Sequence, residues 1–183
     1  MLFIVVAGGV GYLAYSVAMK PQVAIKHEAK KPVVTVVPEP RKVVIYVPAI
    51  AGNSPYLKAQ DRTTELKGGI LDAAIETLLA TAGEDGMVGQ LIPRGTRLLA
   101  PVAVEKRVAT VNLSREFTEN FSGGSTREAL TLNAIAHTLV ENSDGDVRKV
   151  QILVEGKKAD TLGGHFEIAE PISADSAMLK PGS

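Results

Sequence analysis

Histidine, serine and acidic side chains are where chemistry would have to come from in this sequence, and their spacing organises little of it. The histidines are His27, His137 and His165. A hydrolase needs a base within hydrogen-bond reach of its nucleophile. The two serines best placed for that role, Ser114 and Ser125, read more simply as helix caps. Ser125 stands three residues before Glu128, the spacing at which a capping serine and an N3 glutamate bond each other's backbone amides. Glu155, Asp160, His165 and Glu167 carry oxygen and nitrogen ligands, but no fixed spacing gathers them, and solvated loop charges are the simpler reading. Asn142, Asp144 and Asp146 alternate as calcium ligands do. Val147, however, stands where a calcium loop needs glycine, and no glutamate closes the loop at its twelfth position. Gly123-Gly124-Ser125 could present outward amides to an anion at a helix start, unless Ser125 uses those amides itself. What is left is the polar side of one helix, with Arg127, Asn133 and His137 as a candidate interaction face, set against the plainer reading of a solvated surface. The expectation is a protein that is not an enzyme, with no catalytic residues, no cofactor and no metal.

Composition agrees with a folded domain. Of 183 residues, 45% are apolar and 22% charged, close to soluble averages. The sequence has no cysteine, which removes disulfides, thiolate metal sites and a cysteine nucleophile. The net charge of zero conceals an asymmetry: residues 1–42 carry six Lys/Arg against two Glu, and residues 43–172 carry thirteen Lys/Arg against seventeen Asp/Glu. A mildly acidic domain lacks the basic field that phosphate backbones attract, so nucleic acid is not the expected partner.

Leu2 to Met19 is free of charge. At about 1.5 Å per residue it nearly matches a hydrocarbon core of about 30 Å. It reads as a single transmembrane anchor (residues 1–19), with a cleaved signal and a buried helix as alternatives. Residues 20–41 form a linker rich in proline and lysine. Pro21, Pro32, Pro38 and Pro40 favour extended backbone. Residues 42–172 form the domain, and 173–183 read as a flexible tail.

Within the domain, Val43 to Val47 is a β-branched run that predicts a strand. Leu71, Ala74, Ile75, Leu78 and Leu79 share one helical face, as do Leu132, Ile135, Ala136, Leu139 and Val140. Thr96 to Val104 and Val108 to Leu113 predict adjacent antiparallel strands joined at Glu105-Lys106-Arg107, and Val150 to Val154 predicts another strand. The fold class is therefore α+β, a two-layer sandwich of about four strands with two helices on one face, in the order β-α-β-β-α-β. Gly163 to Pro171 is expected to tie back onto the core through Phe166 and Ile168.

Several segments together resemble the GerMN domain family of bacterial sporulation and germination proteins. They are Val43 to Tyr46, Leu91 to Thr96, Val111 to Phe117, Gly124 to Leu139, Val150 to Lys157 and Gly164-His165. Their order and spacing follow the family over the 42–172 domain, although Ala136 and His137 stand where the family often has Val and Asn. The resemblance implies an extracytoplasmic interaction or oligomerisation module of the cell envelope, linked to sporulation or germination. The partners it implies are envelope proteins and further copies of the chain, with no catalytic residues. A peptidoglycan-associated binding module or cell-wall enzyme is the alternative, and a polar groove with paired carboxylates would mark it. Lys20, Lys26, Lys30 and Lys31 follow the apolar segment, and under the positive-inside rule they would place the domain in the cytoplasm. A basic extension upstream of Met1 would remove that conflict.

Overall fold

The computed structural model describes residues 40–65 and 68–179. The expected anchor, Leu2 to Met19, and the linker up to residue 39 lie outside those residues. Among the described residues no helix is long and apolar enough to cross a membrane.

The first strand is longer than its valine run. β1 (Arg41–Ala51) continues through Pro48 and turns at Gly52 into β2 (Ser54–Thr64), pairing antiparallel from Arg41↔Thr64 to Ala51↔Ser54. Gly52 has φ +61, the left-handed value that glycine supplies at a tight hairpin turn. The sequence reading missed β2. Leu57 is its only fully buried position, so it shows neither an apolar run nor a firm alternation.

After the hairpin come α1 (Ile70–Ala80) and a one-turn helix, α2 (Val88–Leu91). Asp72 fixes the start of α1: Oδ2 accepts from the Gly69 amide at 2.8 Å, and Oδ1 accepts from the Val102 amide at 2.7 Å. β3 (Ala103–Glu105) pairs antiparallel with β4 (Val108–Leu113), as expected, but it is shorter than the predicted 96–104, with only a bridge from Leu98 to Leu113 before it. A short α3 (Glu116–Glu119) and the long α4 (Ser125–Glu141) lead to β5 (Lys149–Val154), which lies parallel to β4. On its other side β5 pairs with two short strands, β6 (Lys157–Lys158) and β7 (Ile172–Ser173).

The expected single sheet is therefore two sheets, a two-stranded hairpin and a five-stranded mixed sheet. The far edge of β1 does not join the larger sheet, because α4 side chains take its hydrogen bonds. Asn142 Oδ1 accepts from the Val44 amide at 3.0 Å, and Asn142 Nδ2 donates to the Val44 carbonyl at 2.7 Å. Thr138 Oγ1 accepts from the Tyr46 amide at 3.1 Å. An exposed edge would template pairing with other chains, and here the helix covers it.

α4 is also not a one-faced helix. It touches β1 and β2 as well as β5 and β7, and every residue from Glu128 to Leu139 is buried except the half-buried Asn133. With elements packed on both sides, no solvated stripe remains over those turns. Of the expected 173–183 tail, the described residues 173–179 pack on the domain instead of hanging loose. β7, a 3₁₀ turn (Ser176–Met178) and a Leu57–Leu179 bridge tie them to it. The segment ahead of β7 packs through Ile168, which is 1% exposed, whereas Phe166 is 41% exposed.

Candidate interaction surface

The proposed face on α4 separates into two regions. Asn133 and His137 sit under the C-terminal segment. Asn133 Oδ1 accepts from the Asp175 amide at 2.8 Å, and the His137 Nε2–H donates to the Asp175 carbonyl at 3.0 Å. The His137 ring lies 5.0 Å from the Tyr46 ring. Burial, and after it the Glu141 charge, raise the Tyr46 phenol above its ordinary value.

Arg127 lies elsewhere, in the first turn of α4. Its guanidinium donates to the carbonyls of Gln90 and Ser122 and stands 5.8 Å from the centre of the Phe121 ring. It ties α2 to the start of α4. Thr131 strengthens the same junction, donating to the Leu91 carbonyl at 2.8 Å.

Two recesses flank Arg127. One is a groove of about 420 Å³ with Pro48, Pro55, Met87, Leu91 and Leu130 as its apolar lining and Gln90, Gly124 to Arg127 at its rim. Beside it Ile50 is 58% exposed, and Met87 within it is 37% exposed. The β1–β2 hairpin brings Pro48 and Pro55 together, and Met87 stands at the N-cap of α2. The other is a polar basin of about 700 Å³ that includes Glu84, Asp85, Arg94, Asn120 and Ser122. In it Glu84 is already engaged by Arg62, with both carboxylate oxygens within 3.2 Å of Nη2.

The expected capping box at Ser125 is absent. Gly124 is the N-cap of α4 and no side chain caps that end. Glu128 turns inward instead, fully buried, and accepts four bonds. Oε1 takes the amides of Leu162 and Phe166, both at 3.2 Å, and Oε2 takes the His165 amide at 3.0 Å and His165 Nδ1 at 2.9 Å. Burial alone would raise the carboxyl. The loop amides, Gly163 and Phe166 among them, and the His165 ring outweigh it and hold the carboxyl below its ordinary value. Ser114 is likewise not a side-chain cap; its hydroxyl accepts from the Arg97 amide at 3.0 Å. Glu128 was findable, since it lies four residues before Leu132 and seven before Ile135, on the apolar stripe.

The acidic candidates do not converge. Glu155 binds the Arg115 amide, His165 binds Glu128, and Asn142 is committed to β1. Among the described residues no group of three or more His, Cys, Asp or Glu could hold a metal.

A hairpin and a mixed sheet thus share one central helix. The family model described as Germane, Sporulation and spore germination, matches residues 44–160. The chain belongs to this family. Three solved structures share the fold. A Clostridium perfringens protein provisionally named a lipoprotein is 24% identical, with 73% of this chain and 87% of that one covered and a TM-score of 0.50. The tandem GerMN domains of the Bacillus subtilis sporulation protein GerM are 19% identical, covering 82% of this chain and 51% of that one with a TM-score of 0.59. The first GerMN domain of the same protein is 19% identical, covering 75% and 96%, with a TM-score of 0.50. This chain therefore spans about half of the tandem. No curated protein matches it.

Proposed function

We propose that this Germane-family chain is a non-catalytic module of the bacterial cell envelope, tethered by Leu2 to Met19 and displayed outside the cytoplasm, that binds a protein partner in sporulation or germination. The groove between the β1–β2 turn and the start of α4 carries this reading. It leaves Ile50 and Met87 in water beside an apolar floor, and apolar surface kept exposed in this way marks contact sites. The Clostridium neighbour's provisional lipoprotein name supports an envelope location. The partner expected is an envelope protein or a second copy presenting an apolar side chain to the groove.

In-cell photo-crosslinking tests this, with the reactive residue placed at Met87 and, as a control, at the exposed Lys157. A repeatable protein adduct from position 87 alone supports the reading. Identical adducts from both positions, or none from either, would overturn it. The alternative of a glycan-binding module or cell-wall enzyme rests on the polar basin. Glu84 is held by Arg62 there, which leaves Asp85 without the partner acid that glycoside hydrolysis uses. Recovery of glycan fragments from a crosslinker at Asn120, with no protein adduct at 87, would favour that alternative.

A further inference from the structure

The fold concentrates positive charge at one pole of a domain that is acidic as a whole. The β3–β4 turn consists of Lys106 and Arg107, both with positive φ (49 and 65). The parallel register Val108↔Lys149 sets Arg148 and Lys149 beside that turn, and the amides of both donate to the Arg107 carbonyl, at 2.9 and 3.2 Å. All four side chains are exposed, and among the described residues none of them forms an ion pair with an acid. The chain enters the domain at the same pole. Arg41, the first residue of β1, donates to the Gly68 carbonyl at 2.5 Å, two residues before Ile70. Ile70 in turn lines a recess of about 610 Å³ with Val104, Lys106 and Arg107. Ile70 and Val104 are each 40% exposed. Glu105, Asp144 and Asp146 share the pole and reduce its charge without cancelling it.

We propose that this pole is a second membrane contact, docking on anionic phospholipid headgroups through Lys106, Arg107, Arg148 and Lys149 while Ile70 and Val104 reach the interface. Exposed apolar side chains with Lys106 and Arg107 on one flank of their recess, and Asp144 and Asp146 on the other, suit a headgroup surface where the basic flank meets the lipid, each Lys or Arg there contributing about 1 kcal/mol. Positive charge suits any polyanion, and the exposed Ile70 and Val104 together with the entry of the chain at Arg41 favour a bilayer over a soluble one. Four more lysines lie between positions 20 and 31, ahead of Arg41. The inference rests on the tethered reading above, and adds that the domain lies down on the leaflet instead of standing away from it.

The test uses the full chain inserted in nanodiscs of phosphatidylcholine alone or with phosphatidylglycerol. Amine acetylation of Lys106 and Lys149 is measured by mass spectrometry against Lys58 and Lys157, which are exposed away from the pole. Labelling at the two pole lysines should slow at least about fivefold in the anionic discs, the factor given by one basic contact of about 1 kcal/mol. High salt should restore it, and Arg148→Glu should weaken the protection at Lys149. Equal rates in the two discs, or equal slowing at Lys58 and Lys157, would overturn the proposal. So would protection that appears only when an anionic wall polymer is added. A chain that enters neither disc overturns the tether, and sedimentation of the soluble chain with vesicles of the same two compositions then decides the pole separately: enrichment with phosphatidylglycerol supports it, and no enrichment overturns it.

Discussion

Near its start α4 holds its surroundings with one buried charge, and near its end with two neutral side chains. Glu128 gathers the 162–166 loop, which has no ladder of its own, by accepting three backbone amides and the His165 ring. Thr138 and Asn142 instead complete β1, a strand already paired along its other edge with β2. The difference follows from what each neighbour lacks. An irregular loop turns several N–H groups to one point, which a carboxylate's two oxygens can serve together. A strand edge presents alternating donors and acceptors, which suit an amide and a hydroxyl placed one helical turn apart.

Removing the charged anchor should have the largest effect. Glu128→Ala leaves the buried Leu162 amide and the part-buried amides of His165 and Phe166 without an acceptor and should cost about 3 kcal/mol, read by denaturant unfolding. Hydrogen exchange should rise first at 162–166. Glu128→Gln should not rescue it, because the new NH₂ group meets donors. The wild-type protein also has an acid limb. Since the folded-state carboxyl is held below its unfolded value of about 4.3, its contribution is complete above that pH and is lost as pH falls through the folded value. The variant should lose that limb. A variant that unfolds at the wild-type denaturant midpoint would show that the loop, and not the carboxylate, carries the junction.

Asn142→Ala comes next, at about 2 kcal/mol, since it orphans both the amide and the carbonyl of Val44. Its loss should be the same at pH 4 and pH 7, in contrast to the Glu128 variant. Loss of exchange protection along the first half of β1, with 162–166 unchanged, would confirm that the two anchors act on separate regions.

What the sequence showed of this architecture divides along the same helix. Strand β4, both long helices and β5 were readable because their apolar periods are complete, and the family pattern from Gly124 to Leu139 located the central helix. β2 was not readable, because a strand with one fully buried residue carries almost no period. Treating α4 as one-faced followed from its polar residues: His137 read as part of a solvated side and Glu128 as a capping residue at the helix start, yet both, like Thr131 and Thr138, are buried with a partner. Polar type reports on the need for a hydrogen bond and is silent on whether water or protein supplies it. Of the candidate face, Arg127 borders the exposed groove. Asn133 and His137 lie under a C-terminal segment whose own sequence, short and mixed, gave no sign that it would pack there.

Thr138→Val refines the neutral end. It keeps the shape and removes only the acceptor for the Tyr46 amide, so it should cost about 1 kcal/mol. Combined with Asn142→Ala, the loss should exceed the sum of the two, because β1 would be free along consecutive edge positions. Additive losses would mean that each side chain holds its own residue independently.

The smallest expected effect lies at alkaline pH and separates the two ends by sign. The folded-state phenol of Tyr46 is raised, first by burial and then by Glu141, whose Oε2 lies 3.4 Å from the hydroxyl. A group raised on folding contributes stability that is complete below its unfolded value, about 10, and is lost as pH rises through the folded one. The Glu128 end should therefore weaken in acid and the Tyr46 end in alkali. Tyr46→Phe should leave stability at pH 7 within about 1 kcal/mol, since the hydroxyl bond is long, and should flatten the decline above pH 10 while leaving the acid limb unchanged. If the alkaline decline survives in Tyr46→Phe, a group other than Tyr46 controls it, and the contrast between the two ends rests on Thr138 and Asn142 alone.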